Sequence, residues 1–306
     1  MLAESGRRLE VTWPDGHESR FSARFLRATA DGEAPPERSL WDATSFPDGV
    51  PSVDYAAVTE DEEGLLDWLE AVEVHGFCQL RGVPATPEAT RALALRIGYL
   101  RETIFGGFWD FTADLAHKDT AYTKLGIGLH TDGTYSHDAP GLQMFHCLAF
   151  DGRGGDSLLV DGFKVAEALR RRDPPAFDVL ARVQVPGHYV EPGIHLRAER
   201  PVLRLDRQGR LVQVSFNNHD RAPFRLPDEE MTAFYDGLRA FAALAADPDL
   251  QVKFRLEPGV PLLFDNWRVL HGRTAYQGQR RLCGCYLNRE DFESRLRVLR
   301  AKRDFA

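Results

Sequence analysis

Residues 128–135 read GLHTDGTY, placing His130 and Asp132 two positions apart in a run of small and apolar residues, with Gly133 directly after. In an extended chain, residues i and i+2 point to the same face. Both side chains can therefore meet one object at the end of a strand. The surrounding sequence supports a strand. From about residue 120 it breaks into short β-prone runs divided by Gly and Pro: GLQMFHCLAF (141–150), DSLLVDGF (156–163), VLARVQVPGHYV (179–190), PVLRLD (201–206), LVQVSF (211–216), VKFRLEPGVPLLFDN (252–266) and RLCGCYLN (281–288). One helix interrupts them, with Asp228 as its cap and Met231, Phe234, Tyr235, Leu238 and Phe241 on one stripe. Many short strands with one inserted helix predict a mainly β fold with flanking helices and a double-stranded β-helix, or jelly-roll, core.

Upstream, RLEVTW, the turn PDGH and SRFSARFLRA (8–28) predict a small hairpin, followed by a segment rich in Pro, Asp and Gly. We expect residues 1–50 to form this hairpin and its linker, and residues 51–306 the main domain. Thr59 and Glu62 have the capping-box spacing, and Leu65, Leu66, Trp68, Leu69 and Val72 continue a helix to Gly76. FCQLRGV (77–83) reads as a buried strand. Thr86 and Pro87 then fit the cap and first position of a helix ending near Gly98.

Composition narrows the class. The chain has 306 residues, 43% of them hydrophobic, enough for a sizeable core. A formal charge of −8 argues against nucleic acid or an anionic membrane as partner. The basic run Arg295–Arg303 reads as the solvated face of a C-terminal helix. No apolar run approaches the roughly 20 residues that span a bilayer, and MLAESGRRLEV lacks a signal-peptide core. A cytoplasmic protein without membrane contact is expected. Cys78, Cys147, Cys283 and Cys285 sit in apolar, strand-like contexts without CxxC spacing, which predicts buried thiols.

His271 stands at another strand end, in FDNWRVLHGR (264–273). His-x-Asp, a distant His and a β-rich core together have the form of the two-His-one-carboxylate triad, which leaves open positions on Fe(II). Arg280 or Arg281 on the next strand could pair with a carboxylate through its planar fork, and Ser157 could add a hydroxyl. An arginine beside an iron site suits 2-oxoglutarate, which chelates the metal at one end and meets a cation at the other. The same three ligands also suit Zn2+ in a hydrolase, and a jelly roll can bind betaines without catalysis. Neither alternative needs a second carboxylate pocket.

DTAYTKLGIGLHTDGTYSHDAPGLQMFHCLAFDGRGGDSLLVDGF (119–163), NNHDRA (217–222), FDNWRVLHGR (264–273) and RRLCGCYLNREDF (280–292) resemble the trimethyllysine dioxygenase and γ-butyrobetaine dioxygenase family of 2-oxoglutarate-dependent hydroxylases. The likeness runs over roughly residues 60–300. It implies iron ligands at His130, Asp132 and His271, a 2-oxoglutarate arginine at Arg280 (Arg281 if the strand slips by one) and support from Ser157. It also implies Fe(II) as cofactor, 2-oxoglutarate and O2 as cosubstrates, ascorbate as a stimulant, and hydroxylation coupled to release of succinate and CO2. The family's trimethylammonium cage falls on Phe105, Trp109, Tyr122 and Tyr286. A quaternary ammonium donates no hydrogen bond and is held by π faces, so these residue types fit independently. Asp119 would meet the α-ammonium of trimethyllysine, and Asn217 and Asn218 the substrate's acidic end. Trimethyllysine is the expected substrate, with γ-butyrobetaine or a related acid, including a phosphonate, as the alternative. The family's N-terminal zinc site has no counterpart, because FLRATADGEAPP (25–36) lacks its cysteines. His17 and His75 are therefore expected to be structural or exposed, and a homodimer is compatible with the sequence without being implied.

Overall fold

The computed structural model describes residues 2–3, 8–23, 25–26, 37–112 and 124–305. The chain divides into two compact units, Met1–Glu37 and Arg38–Ala306. In the small unit, strands Leu2–Ala3, Arg8–Thr12 and Glu18–Ser22 form an antiparallel sheet in that order. Its turn closes on Gly16 at φ 84°, and Asp15 Oδ1 accepts the His17 N–H at 3.0 Å. His17 is exposed there.

The large unit takes in residues 38–50, which the sequence reading assigns to the linker. Trp41 is buried 5.1 Å from the Phe77 ring, with Phe46 and Val50 on the same apolar cluster. Two main sheets build this unit, together with two antiparallel ribbons, Val185–Glu191 with Ile194–Arg200 and Leu203–Leu205 with Leu211–Val214. One has six strands in the order Ser52–Asp54, Phe77–Arg81, Leu262–Asp265, Leu142–Gly154, Tyr276–Leu287 and Trp109–Thr112. All its pairings are antiparallel except the first. The other has four antiparallel strands in the order Gln251–Phe254, Ser157–Asp161, Val269–Arg273 and Ile127–His130.

Period-two alternation sorts the side chains into layers. Leu262, Phe264, Cys147 and Leu282 of the first sheet share a cluster with Leu159, Val252 and Val269 of the second. Their neighbours Leu263, Met144 and Cys285 point the other way, onto helices Glu62–His75, Pro87–Ile97 and Arg289–Phe305. Val160 and Leu270 likewise face helices Gly162–Arg172, Pro174–Arg182 and Asp228–Ala245. The large unit is thus two facing sheets with a helical layer on each outer side. All four cysteines are free and buried.

Several local expectations change. Asp61, not Thr59, caps Glu62–His75, accepting from Gly64 N at 2.7 Å. Its carboxylate meets the positive end of the helix, while Thr59 bonds back to Tyr55 O within a separate short helix, Tyr55–Glu60. Pro227 takes the cap position expected of Asp228, which lies in the first helical turn. Tyr235 lies off the buried stripe. Two further helices, Gly162–Arg172 and Pro174–Arg182, were not expected, and they take in the end of one β-prone run (162–163) and the start of the next (179–182). The basic C-terminal face is paired as well as solvated: Arg300 meets Glu70 and Glu73, and Lys302 meets Glu62. No helix of the described residues is long and apolar enough to cross a membrane.

A fully buried ion pair braces the four-stranded sheet. Arg268 Nη2 donates to Asp161 Oδ2 at 2.8 Å and to Ser39 O at 2.6 Å, and its Nη1 donates to Val74 O at 2.8 Å. Asp161 also caps Gly162–Arg172. Losing either partner would strand a buried charge at a cost of about 3–5 kcal/mol. His271 lies three residues beyond Arg268 on the braced strand.

Candidate active site

Strand Ile127–His130 pairs with Val269–Arg273 so that His130 stands opposite His271. The close approach needs Gly272, where a Cβ would fall 2.7 Å from Ile127 O. The two imidazole centroids lie 4.2 Å apart. Asp132 follows His130 just beyond the strand. Its Oδ1 is 3.1 Å from His130 Nε2 and its Oδ2 is 3.6 Å from His271 Nε2. One ligand atom from each residue lies within 4.8 Å of the others. Two imidazoles and one carboxylate on a half-buried wall suit a divalent transition metal and leave coordination positions open.

Backbone clamps hold this geometry. Thr131 N donates to Phe216 O at 2.8 Å, and Thr131 Oγ1 accepts from Phe216 N at 2.9 Å. The Asn266 amide pairs with the Asp132 backbone in both directions: Oδ1 accepts Asp132 N at 2.8 Å, and Nδ2 donates to Asp132 O at 3.1 Å. Nδ2 also donates to Pro140 O at 2.9 Å. Asn266 lies within FDNWRVLHGR, where residue type and spacing alone assign it no role. The Tyr286 hydroxyl donates to Asp132 Oδ2 at 2.6 Å.

Burial by itself would raise the Asp132 carboxyl. The His271 and His130 imidazoles and the Tyr286 hydroxyl outweigh it and hold the carboxyl well below the usual range. Burial likewise lowers His130, but its bond to Asp132 prevails and its pKa rises. His271 goes the other way. Burial and the facing His130 push it down to about 3, so it stays neutral, the form that ligates metals.

The triad opens into a cavity of about 430 Å3 lined by the inner faces of both sheets and neighbouring loops. Ser157, Arg273 and Arg280 make part of its wall cationic and polar. Arg280 is buried, and its Nη1 has no hydrogen-bond partner among the described residues. Such a nitrogen fits an anionic group entering from the cavity. Arg281, on the opposite face of the strand, forks onto exposed Asp110 and does not line the cavity. Arg273, two positions after His271 and on the same face, is a cavity residue the sequence reading missed. Its guanidinium and that of Arg280 lie 5.0 and 5.7 Å from the Tyr276 ring centroid.

Aromatic side chains form another part of the wall. Trp109 and Tyr286 lie 4.6 Å apart, allowed by Gly284, where a Cβ would fall 3.0 Å from Trp109 Nε1. Phe105 packs edge-on to Tyr189 at 5.7 Å, and Tyr135 lies 5.3 Å from Tyr189. Tyr135 and Tyr189 carry no signal of their own in the sequence. Asp119 and Tyr122 lie outside the described residues. Asn217 lines the cavity and donates to Asp220 Oδ2 at 2.9 Å. Asn218 does not line it. Its Oδ1 accepts from Arg221 beside a smaller cavity. Two acids missed from the sequence, Glu191 and Asp220, also face the main cavity.

Residues 41–286 match the family described as taurine catabolism dioxygenase TauD, TfdA. Among curated proteins, the chain is 39% identical over 302 residues to the mitochondrial trimethyllysine dioxygenase of Rattus norvegicus, covering 95% of this chain and 72% of that one. It is 38% identical over 303 residues to the γ-butyrobetaine dioxygenase of Pseudomonas sp., covering 95% and 78%. Among solved structures, the PvcB protein from Pseudomonas aeruginosa aligns with TM-score 0.58 at 18% identity, covering 85% of this chain and 94% of that one. A protein from Burkholderia xenovorans described as a putative α-ketoglutarate-dependent taurine dioxygenase aligns with TM-score 0.60 at 14% identity, covering 81% and 92%. These last two likenesses concern the fold.

Proposed function

The chain belongs to the taurine catabolism dioxygenase TauD, TfdA family, among its trimethyllysine and γ-butyrobetaine dioxygenases, and we propose that it hydroxylates a C–H bond of trimethyllysine. The observation that carries this reading is the convergence of His130, Asp132 and His271 on the wall of a cavity lined by aromatic rings. The two facing sheets are read as a double-stranded β-helix core. His130, Asp132 and His271 would hold Fe(II), and Arg280, supported by Ser157 on the same cavity wall, would take the distal carboxylate of 2-oxoglutarate. Bound Fe(II), with 2-oxoglutarate and O2, supplies the oxidising chemistry, with succinate and CO2 as by-products.

The protein's own contribution is placement. Trp109, Tyr286 and Phe105 offer π faces to the trimethylammonium, each contributing about 1–2 kcal/mol in a desolvated cage. The resemblance adds Tyr122 to that cage and Asp119 to the α-ammonium contact. Holding one end of the substrate decides which carbon faces the metal, so orientation chooses the product. Glu191 and Asp220 favour a substrate with a second ammonium, which trimethyllysine has and γ-butyrobetaine lacks. Asn217 supports the substrate's carboxylate. γ-Butyrobetaine remains the second reading, supported by a relative of that activity at nearly equal identity.

The test has two parts. Anaerobic addition of Fe(II) and 2-oxoglutarate should give a weak visible charge-transfer band, lost in His130→Ala, Asp132→Ala and His271→Ala. A turnover screen of trimethylammonium compounds, reading succinate and product mass, should then rank trimethyllysine first. No band in the wild type, or turnover by His271→Ala at the wild-type rate, would overturn the metal assignment.

A further inference from the structure

Tyr286 touches both halves of the site. Its ring packs 4.6 Å from Trp109 on the cavity wall, and its hydroxyl donates to Asp132 Oδ2 at 2.6 Å. The side chain has little freedom. It is 9% exposed, in strand Tyr276–Leu287, the fifth of the six, opposite Gln143, and its carbonyl accepts Arg101 N at 2.9 Å. With the hydroxyl on Oδ2, the other carboxylate oxygen, Oδ1, is turned to His130 Nε2 at 3.1 Å. A carboxylate free to swing could offer both oxygens to one ion and fill a position that a cosubstrate needs.

We propose that Tyr286 is a positioning residue. Its hydroxyl holds the Asp132 carboxylate in one orientation while its ring walls the substrate cage, so one side chain joins the metal site to the substrate site. The proposal rests on the reading of the triad and cage given above. Outer-shell hydrogen bonds to ligands typically change metal affinity 10- to 100-fold when removed. A cage role alone predicts no such change.

The test needs no turnover. Co2+ and trimethyllysine binding are measured separately, by the Co2+ visible spectrum and by calorimetry, on the wild type, Tyr286→Phe and Trp109→Leu. Tyr286→Phe should weaken Co2+ about ten-fold or more and alter its spectrum. It keeps the ring, so trimethyllysine affinity at saturating Co2+ should stay within roughly three-fold. Trp109→Leu should do the reverse, weakening trimethyllysine roughly ten-fold and leaving Co2+ unchanged. Tyr286→Phe binding Co2+ within two-fold of wild type, with the same spectrum, overturns the proposal. Should that variant not fold, the wild type decides. The proposed link predicts that Co2+ and trimethyllysine strengthen each other, by one common factor as linkage demands, and a factor of one overturns it. A wild type that binds no Co2+ at all overturns the triad reading itself, a distinct result.

Discussion

Asn266→Ala removes an amide whose hydrogen-bonding groups serve mainly to hold the Asp132 loop. The residue is 1% exposed and its side chain makes three hydrogen bonds, two with the Asp132 backbone and one with Pro140 O. Each bond is worth about 1 kcal/mol net, which sets about 3 kcal/mol for the three, and the Asp132 N–H left without a partner raises this by about 1–2 kcal/mol where water cannot enter. A loss of about 3–5 kcal/mol follows. With an unfolding entropy near 2.1 cal/mol/K per residue, the large unit should melt roughly 5–9 °C lower. The Asp132 carboxylate rides on the freed backbone, so metal affinity should fall about ten-fold or more. Asn266→Asp keeps the shape but exchanges the donor for an acceptor facing two carbonyls, and should be at least as damaging. Calorimetric melting of the metal-free protein and a Co2+ titration read the two effects. An Asn266→Ala protein that melts within about 2 °C of wild type and binds Co2+ within two-fold would refute the clamp.

Arg280→Ala should raise the 2-oxoglutarate requirement by ten-fold or more, since a buried carboxylate loses a charge-assisted pair worth roughly 2–5 kcal/mol; Arg281→Ala, exposed on Asp110, should change it less than two-fold, and the reverse order would reassign the site. Asp220→Asn should weaken trimethyllysine more than γ-butyrobetaine in competition binding, and equal losses would remove the α-ammonium contact. Stability of the metal-free protein should fall with acid. Burial pushes His146 down to about 4 from 6.5, so between those values the unfolded chain binds the proton that the folded one excludes. The neutral form's stability is complete above about pH 6.5 and lost towards pH 4, on the order of 3 kcal/mol. Urea unfolding should show that slope reduced in His146→Leu, and an unchanged slope would place its origin elsewhere.

The triad was legible in the linear chain because its signal is local: His-x-Asp at the end of a strand, a second His at another, and residue types with few other uses in that setting. Helix ends at Gly76 and Thr86–Pro87 were legible for the same reason, since caps act within one turn. Helices Gly162–Arg172 and Pro174–Arg182 were not, because short apolar runs fit either period until their neighbours are known. Arg280 and Arg281 are adjacent and chemically equal in sequence. A slip of one residue exchanges the faces of a strand, so only pairing with Leu142–Gly154 and Trp109–Thr112 turns Arg280 inward and Arg281 onto Asp110. Tyr135, Tyr189, Glu191, Asp220, Arg273 and Asn266 reach the site through long-range register and packing. Residue type and spacing determined which chemistry the protein could hold. Which side chains surround that chemistry was decided by sheet pairing, whose hydrogen bonds join segments that nothing in the linear order places together.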